Sequence, residues 1–273
     1  MQHPVALTIA GSDPSGGAGA QADLKTFHQH GVYGAAAISL ITVQNTRGCD
    51  DVVVLDAGLV RAQIEAVLLD LPVAVLKTGA LGSAENVSAV ASVLRGRDLP
   101  LVVDPVRVAT VGTQTGLLRD EAREVVLREL APLATLLTPN MREAAWLTGR
   151  DVESLPQMRD AAHALIDLGA RAVLVKGGHL AFTSDHPAID VLVLDGSLHE
   201  LHADRVATPA GHGTGCSLAS AIAARLALGE TLEDAVILGK EWVRRALVSA
   251  PPLGGGAWPI DHFAPVPPSK RAR

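Results

Sequence analysis

The sequence predicts an α/β fold with a mainly parallel central sheet covered by helices on both faces. Three observations carry that expectation. Short apolar runs bounded by turn residues recur along the chain, segments of helical spacing separate most of them, and 273 residues can bury a full core within one domain. The runs are Val5 to Ala10, Ala35 to Val43, Val73 to Leu76, Leu101 to Val103, Thr135 to Leu137, Ala172 to Val175 and Val191 to Leu194. Helical spacing shows at Val60, Ile64, Val67 and Leu68, and again at Ala161, Ala162, Leu165 and Leu168. Asp195 to Val206 reads as a hairpin, and Ser217 to Leu228 as an apolar helix entered directly from a glycine loop. Residues 1–263 are then one domain. Residues 264–273 read as a flexible tail, since Pro265 to Pro268 precede the basic end Lys270-Arg271-Ala272-Arg273.

Composition removes several function classes. The net charge is −6 and no helix carries a basic stripe, which speaks against binding a nucleic-acid backbone. Cys49 and Cys216 lie far apart, without CxxC or Cys/His spacing, so neither a zinc site nor a disulfide framework is expected. Met1-Gln2-His3-Pro4 leads straight into an apolar strand pattern without the charged region of a signal peptide, and no apolar run reaches membrane-spanning length. The expectation is a cytoplasmic protein without membrane contact.

In open parallel sheets ligands bind beyond the carboxyl ends of the strands, so the polar residues there are the candidates for function. They are Gly11-Ser12-Asp13, Gln44-Asn45, Lys77-Thr78-Gly79, Asp104-Pro105, Thr138-Pro139-Asn140 and Lys176-Gly177-Gly178-His179, taken in strand order. Their number favours an enzyme acting on small molecules. Gly211-His212-Gly213-Thr214-Gly215-Cys216 adds a glycine loop at a helix start, where free backbone N–H groups suit a phosphate. The same field lowers the pKa of a thiol in the first turn, so Cys216 reads either as a base beside a phosphate or as a small buried apolar residue.

Gly17-Ala18-Gly19-Ala20-Gln21-Ala22 fits the dinucleotide pattern G-x-G-x-x-G/A, but its context does not. Pro14 separates the loop from the strand, and the next strand ends in Gln44 where an acidic ribose ligand belongs. A P-loop is also excluded, since Gly239-Lys240 is followed by Glu241.

Read together, these segments resemble the hydroxymethylpyrimidine (phosphomethylpyrimidine) kinases of thiamine biosynthesis, a branch of the ribokinase-like kinases. The resemblance runs nearly end to end. It covers Ala10 to Gly19, Gln21 to Phe27, Gln44-Asn45-Thr46, Lys77-Thr78-Gly79, Asp104-Pro105-Val106, Thr138-Pro139-Asn140 with Glu143, Val175 to His179, and His212 to Cys216. It implies a ribokinase-like fold, a homodimer, and an ATP- and Mg²⁺-dependent transfer of phosphate to the hydroxymethyl group of a 2-methyl-4-aminopyrimidine. A second transfer to the monophosphate would give the pyrophosphate.

The resemblance also implies roles. Gln44 would hydrogen-bond the pyrimidine's nitrogen edge, with Asp23 and backbone at Gly11 and Val43 completing the pocket, and an amide does offer both a donor and an acceptor. Read alone, Gln44 is equally an exposed strand-end amide and Asp23 a first-turn helix acid. Asn140 and Glu143 would support Mg²⁺ through water, although Asn-x-x-Glu at a helix start is also a capping box, and both roles can coexist. Lys176 would stabilise charge on the transferred phosphates, Asp104 would help hold the phosphates or the metal, and Gly213, Thr214 and Gly215 would cradle the anion. Asp104-Pro105 is otherwise a turn initiator and Lys176 a solvated strand end. Cys216 would be the base. His179 and His212 are candidates only for a place behind the reacting groups, since a lone histidine rarely has a catalytic role.

The chain departs from the family's pattern in places. Arg107 and Thr110-Val111-Gly112 replace a methionine and a lysine-serine-glycine turn, Ala80 replaces a frequent methionine, and Pro209-Ala210-Gly211 replaces a polar approach to the last loop. Gly254 to Pro259 follows a glycine-alternating pattern only in part. A wider pocket near Ala80 keeps pyridoxal or pyridoxine kinase as an alternative, and the changed Arg107 to Gly112 segment keeps a catalytically impaired pyrimidine-binding protein as another.

Overall fold

A computed structural model describes residues 3–109, 116–178 and 187–269. Its main sheet has nine strands: β1 (Val5–Ser12), β2 (Tyr33–Asn45), β3 (Gly48–Val54), β4 (Val73–Thr78), β5 (Leu101–Val103), β6 (Leu136–Leu137), β7 (Ala172–Val175), β8 (Ala188–Leu194) and β9 (Ser197–Ala203), in the order β3-β2-β1-β4-β5-β6-β7-β8-β9. The strands from β2 to β7 pair in parallel. β3, β8 and β9 join by antiparallel pairing. A short parallel pair, β10 (Ala210–His212) and β11 (Trp258–Pro259), lies apart from it.

Each apolar run predicted as a strand coincides with one of these strands, and only Thr135 of the run Thr135 to Leu137 falls outside, one residue before β6. The hairpin expected over Asp195 to Val206 begins earlier: it is the β8–β9 pair, and its turn falls at Asp195-Gly196, both at positive φ (49° and 74°), the two-residue geometry that matches strand twist. Sequence reading omitted β3, where Asp50 and Asp51 interrupt the apolar pattern. β3 is an edge strand, and only Cys49 of it is buried.

The helices are α1 (Gly19–Gln29), α2 (Ala57–Asp70), α3 (Ala84–Leu94), α4 (Ala122–Val125), α5 (Met141–Thr148), α6 (Leu155–Asp167), α7 (Thr214–Ala227) and α8 (Leu232–Val248). They cover both faces because successive strand residues point to opposite sides. Leu7, Ile9, Val103, Leu137, Val173 and Val175 pack with α2, α3, α5 and α6. Ala6, Val102, Leu136 and Leu174 pack instead with Phe27 of α1, Leu218 and Ile222 of α7 and Trp242 of α8.

The expectation of a flexible tail from residue 264 is corrected for residues 264–269. The Trp242 indole donates to the Ala264 carbonyl at 3.1 Å, Arg225 donates to the Pro267 carbonyl and Ser269 to Glu230, so this segment seals the second core cluster. Buried polar groups of α7 and α8 need these partners, which fixes the strap. Residues 270–273 lie outside the described residues. Among the described residues no helix is long and apolar enough to cross a membrane.

Candidate active site

β1 has β2 on one side and β4 on the other, so the chain reverses its direction of travel between β1 and β4. A cleft must open at the carboxyl ends there. Two adjoining pockets occupy this end of the sheet. The smaller is lined by Gly11, Ser12 and Asp13 at the end of β1, Gln44 of β2, Lys77 and Gly79 at the end of β4, and Leu40, Ala80 and Leu117 on an apolar side. The larger, about 310 Å³, is lined by Asp104, Asn140, Glu143, Lys176 and Gly213 to Cys216, with Val206, Leu218, Val243 and Leu247 as its apolar far wall. Cys216, Val106 and Val108 line both.

The two glycine loops are pressed together where the pockets meet. Gly213 has φ +77°, and a Cβ there would lie 1.8 Å from the Gly17 carbonyl oxygen, so no other residue fits. Asp13 ties the loops: its carboxylate accepts from Ser15 N and Oγ at 2.9 and 2.7 Å, from Ala18 N at 2.8 Å and from His212 Nε2 at 2.8 Å. Burial pushes this carboxyl up, but the bonds from His212 and Ser15 outweigh it and hold it below the ordinary carboxylate range. Because a carboxylate only accepts, the His212 ring donates through Nε2, and its buried Nδ1 has no partner among the described residues. Gln44 Nε2 lies 3.4 Å from the same His212 nitrogen.

In the larger pocket, Lys176 follows β7 and donates to Asp104 Oδ1 at 2.7 Å, with the lysine side chain 13% exposed and the aspartate 1%. Asp104, Glu143 and Cys216 hold the Lys176 ammonium charged against the cost of burial. Asp104 Oδ2 is buried without a partner among the described residues. A Cβ on Gly215 would lie 3.2 Å from Lys176 Nζ, so the glycine leaves the lysine's approach open. Asn140 and Glu143 form a complete capping box on α5, Glu143 N to Asn140 Oδ1 at 2.9 Å and Asn140 N to Glu143 Oε2 at 2.7 Å. Burial raises the Glu143 carboxyl to about 7, opposed by Lys176 and reinforced by Asp104. A buried carboxylate beside a half-satisfied one is the donor set that a hydrated divalent cation with bound phosphates needs, so the residues present fit Mg²⁺.

Cys216 sits in the first turn of α7 and is partly exposed. The expectation of a lowered thiol pKa is corrected. Burial pushes the Cys216 thiol up to about 11, and Lys77 and an N–H from Gly19 only offset part of that. Two helix starts therefore converge on this sulfur, its own and that of α1.

Most predicted residues come together. Asp104, Asn140, Glu143, Lys176, Gly213, Thr214, Gly215 and Cys216 line the larger pocket; Gly11, Gln44 and Cys216 line the smaller. Two do not join them. Val43 is exposed on the outer face of β2. Asp23 is fully buried in the second turn of α1, where its oxygens accept from Thr8, Ser220 and Lys77, so it reaches the pocket only through Lys77. His179 and the segment Thr110 to Gly112 lie outside the described residues. Sequence reading named Lys77 and Asp13 only as polar strand ends and gave neither a role: Lys77 pairs with Asp23, and Asp13 ties the two loops.

The model of the phosphomethylpyrimidine kinase family matches residues 13–261. The hydroxymethylpyrimidine/phosphomethylpyrimidine kinase of Streptomyces coelicolor is 46% identical over 259 residues, covering 95% of this chain and 94% of that protein. The enzyme of the same name from Synechococcus elongatus is 45% identical over 267 residues, covering 97% and 100%. Among solved structures, an ADP complex of Bacillus subtilis pyridoxal kinase aligns with TM-score 0.87 at 34% identity, over 96% of this chain and 98% of that one.

Proposed function

The chain belongs to the phosphomethylpyrimidine kinase family, and from that premise we propose that it phosphorylates 4-amino-5-hydroxymethyl-2-methylpyrimidine and then its monophosphate, with ATP as donor, in thiamine biosynthesis. The observation that carries this reading is the meeting of the two pockets at Cys216. One is large enough for a nucleotide and ends in an anion loop. The other is small, half apolar, and bears an amide that suits an aminopyrimidine edge.

The first step follows from that placement. Gln44 and backbone at Gly11 orient the ring, and Leu40, Ala80 and Leu117 exclude water from it. Cys216 takes the proton of the hydroxymethyl group onto Sγ while the oxygen forms its bond to the γ-phosphorus. The bond from that phosphorus to the bridging oxygen breaks, and its electron pair leaves with ADP. N–H groups at Gly213 to Cys216 and the Lys176 ammonium stabilise the charge spread over the phosphoryl oxygens. When bound, Mg²⁺ would neutralise the triphosphate, held by Asn140 and Glu143 through water and by Asp104 beside them. In the second step the acceptor is a phosphate monoester, already an anion near neutral pH, and no base is required.

The likeness to pyridoxal kinases supports a second reading, in which pyridoxal takes the pyrimidine's place against Ala80. Family membership further suggests a cytoplasmic homodimer, for which half-exposed Ile41, Val43 and Val53 on β2 and β3 offer an apolar face. The test is phosphoryl transfer with ATP and Mg²⁺, offering hydroxymethylpyrimidine, its monophosphate and pyridoxal separately. Turnover of both pyrimidines is expected. Turnover of pyridoxal alone moves the assignment to vitamin B6, and pyrimidine binding without turnover makes this an impaired binding protein.

A further inference from the structure

Two buried lysine–aspartate pairs flank the junction of the pockets, and the mechanism above uses only one. Lys176–Asp104 stands on the phosphate side. Lys77 and Asp23, both wholly buried, stand on the other, with Nζ 2.9 and 2.8 Å from the two carboxylate oxygens. The carboxylate is saturated, since Ser220 Oγ donates to Oδ1 and Thr8 Oγ1 to Oδ2, each at 2.6 Å. An ammonium has three donors, and the hydrogen bonds that Lys77 makes among the described residues all go to this one carboxylate. Lys77 nonetheless lines the smaller pocket together with Cys216 and Gly79. A Cβ on Gly79 would lie 3.0 Å from Lys77 Nζ and 3.1 Å from Ala10 Cβ, so the glycine keeps the space beside the ammonium clear.

Burying an ion pair is costly, and apolar residues of similar volume often do as well or better for stability, so stability alone does not account for the pair. We propose that Lys77, held in place by Asp23, is a positioning residue for Cys216: on the wall of the pocket that the two share, its ammonium stabilises the thiolate that receives the proton. Asp23 thereby serves the reaction through Lys77 and not by touching substrate. The charged groups around the thiol are Lys77 of β4, Asp23 of α1, Asp104 after β5 and Lys176 after β7, with the Asp13–His212 pair on the wall of the same pocket. Of these, Lys77 acts most strongly to favour the thiolate, while Asp104 and Asp23 oppose it. Its own charge is secure, because Asp23, Cys216 and Asp104 outweigh the effect of burial.

This inference rests on the kinase reading for the use of the thiolate, but its test needs no substrate. The rate of iodoacetamide modification at Cys216, located by peptide mass, is followed against pH in wild type and Lys77→Met. Thiolate absorbance in the ultraviolet is measured against the matching Cys216→Ser proteins. We expect the variant to alkylate about tenfold more slowly at each pH below the midpoint, with the absorbance rise displaced upward by about one pH unit. Unchanged profiles in a folded variant overturn the proposal. If Lys77→Met does not fold, Asp23→Asn/Lys77→Met removes both charges from the core and must shift the profile in the same direction, and an unshifted profile there counts equally against it. Normal profiles with lost pyrimidine turnover, or shifted profiles in a protein that never phosphorylates a pyrimidine, separate failure of this inference from failure of the kinase reading.

Discussion

In the proposed mechanism, replacing Cys216 by alanine removes the proton acceptor of the first phosphorylation and leaves the second without a missing group. Burial pushes the thiol up to about 11. Near pH 7.5 such a thiol is ionised in roughly one molecule in three thousand, a cost of about 5 kcal/mol relative to the ionised form. The active form of a base is the deprotonated one, so the first step must accelerate about tenfold per pH unit from roughly pH 7 to 9, a rise that levels only as pH approaches the thiol's own value. A positioned base contributes about 10²–10⁴-fold, and Cys216→Ala therefore loses about 100-fold or more on hydroxymethylpyrimidine near pH 8. The monophosphate, with a second ionisation near ~6, is already an anion; its phosphorylation falls by less than about fivefold and stays nearly level with pH. The assay is single-turnover transfer from labelled ATP, with mono- and diphosphate products resolved and each acceptor supplied separately. Equal losses in the two steps, or a wild-type first step that stays level with pH, would refute the assignment of Cys216 as base.

Other positions give independent checks. Gly213→Ala places a methyl group against the Gly17 carbonyl at a positive φ, so phosphoryl transfer should be abolished and urea stability should fall by about 2 kcal/mol or more. Asn140→Ala breaks the capping box; a loss of about 1 kcal/mol in chemical unfolding, with a higher KM for ATP-Mg²⁺, is expected. His30 and His262 are held neutral, with burial lowering each to about 4. Because their unfolded value is near ~6.5, stability should be unaffected above that pH and should fall as pH drops towards 4, by about 3 kcal/mol for His30, a decline that urea midpoints follow and that His30→Leu should blunt.

The strands were legible because buried parallel strands leave short, unbroken apolar runs, and Val5 to Ala10 or Ala172 to Val175 can hardly be read otherwise. β3 was not, since an edge strand needs only one buried residue and tolerates Asp50 and Asp51. The strap at 264–269 escaped for a related reason: its prolines contribute carbonyls to Arg225 and Trp242, and the donors they satisfy lie on distant helices. In the site, the capping box at Asn140 and Glu143 was visible because both of its bonds are local. Lys77 and Asp23 are separated by 54 residues, and a charge pair across that distance carries no periodic signal. The helix start marked Gly213 to Cys216, which do line the larger pocket, but it misjudged the thiol, because the sequence shows the helix dipole and hides the burial that outweighs it.

The most direct measurement is a competition experiment in which the wild-type protein receives limiting ATP-Mg²⁺ with equal amounts of hydroxymethylpyrimidine and pyridoxal, and every phosphorylated product is quantified over time. The account predicts that the pyrimidine monophosphate appears first and is then consumed into the diphosphate, with pyridoxal phosphate a minor product. Pyridoxal phosphate as the main product, or a pyrimidine monophosphate that accumulates without conversion, would contradict it.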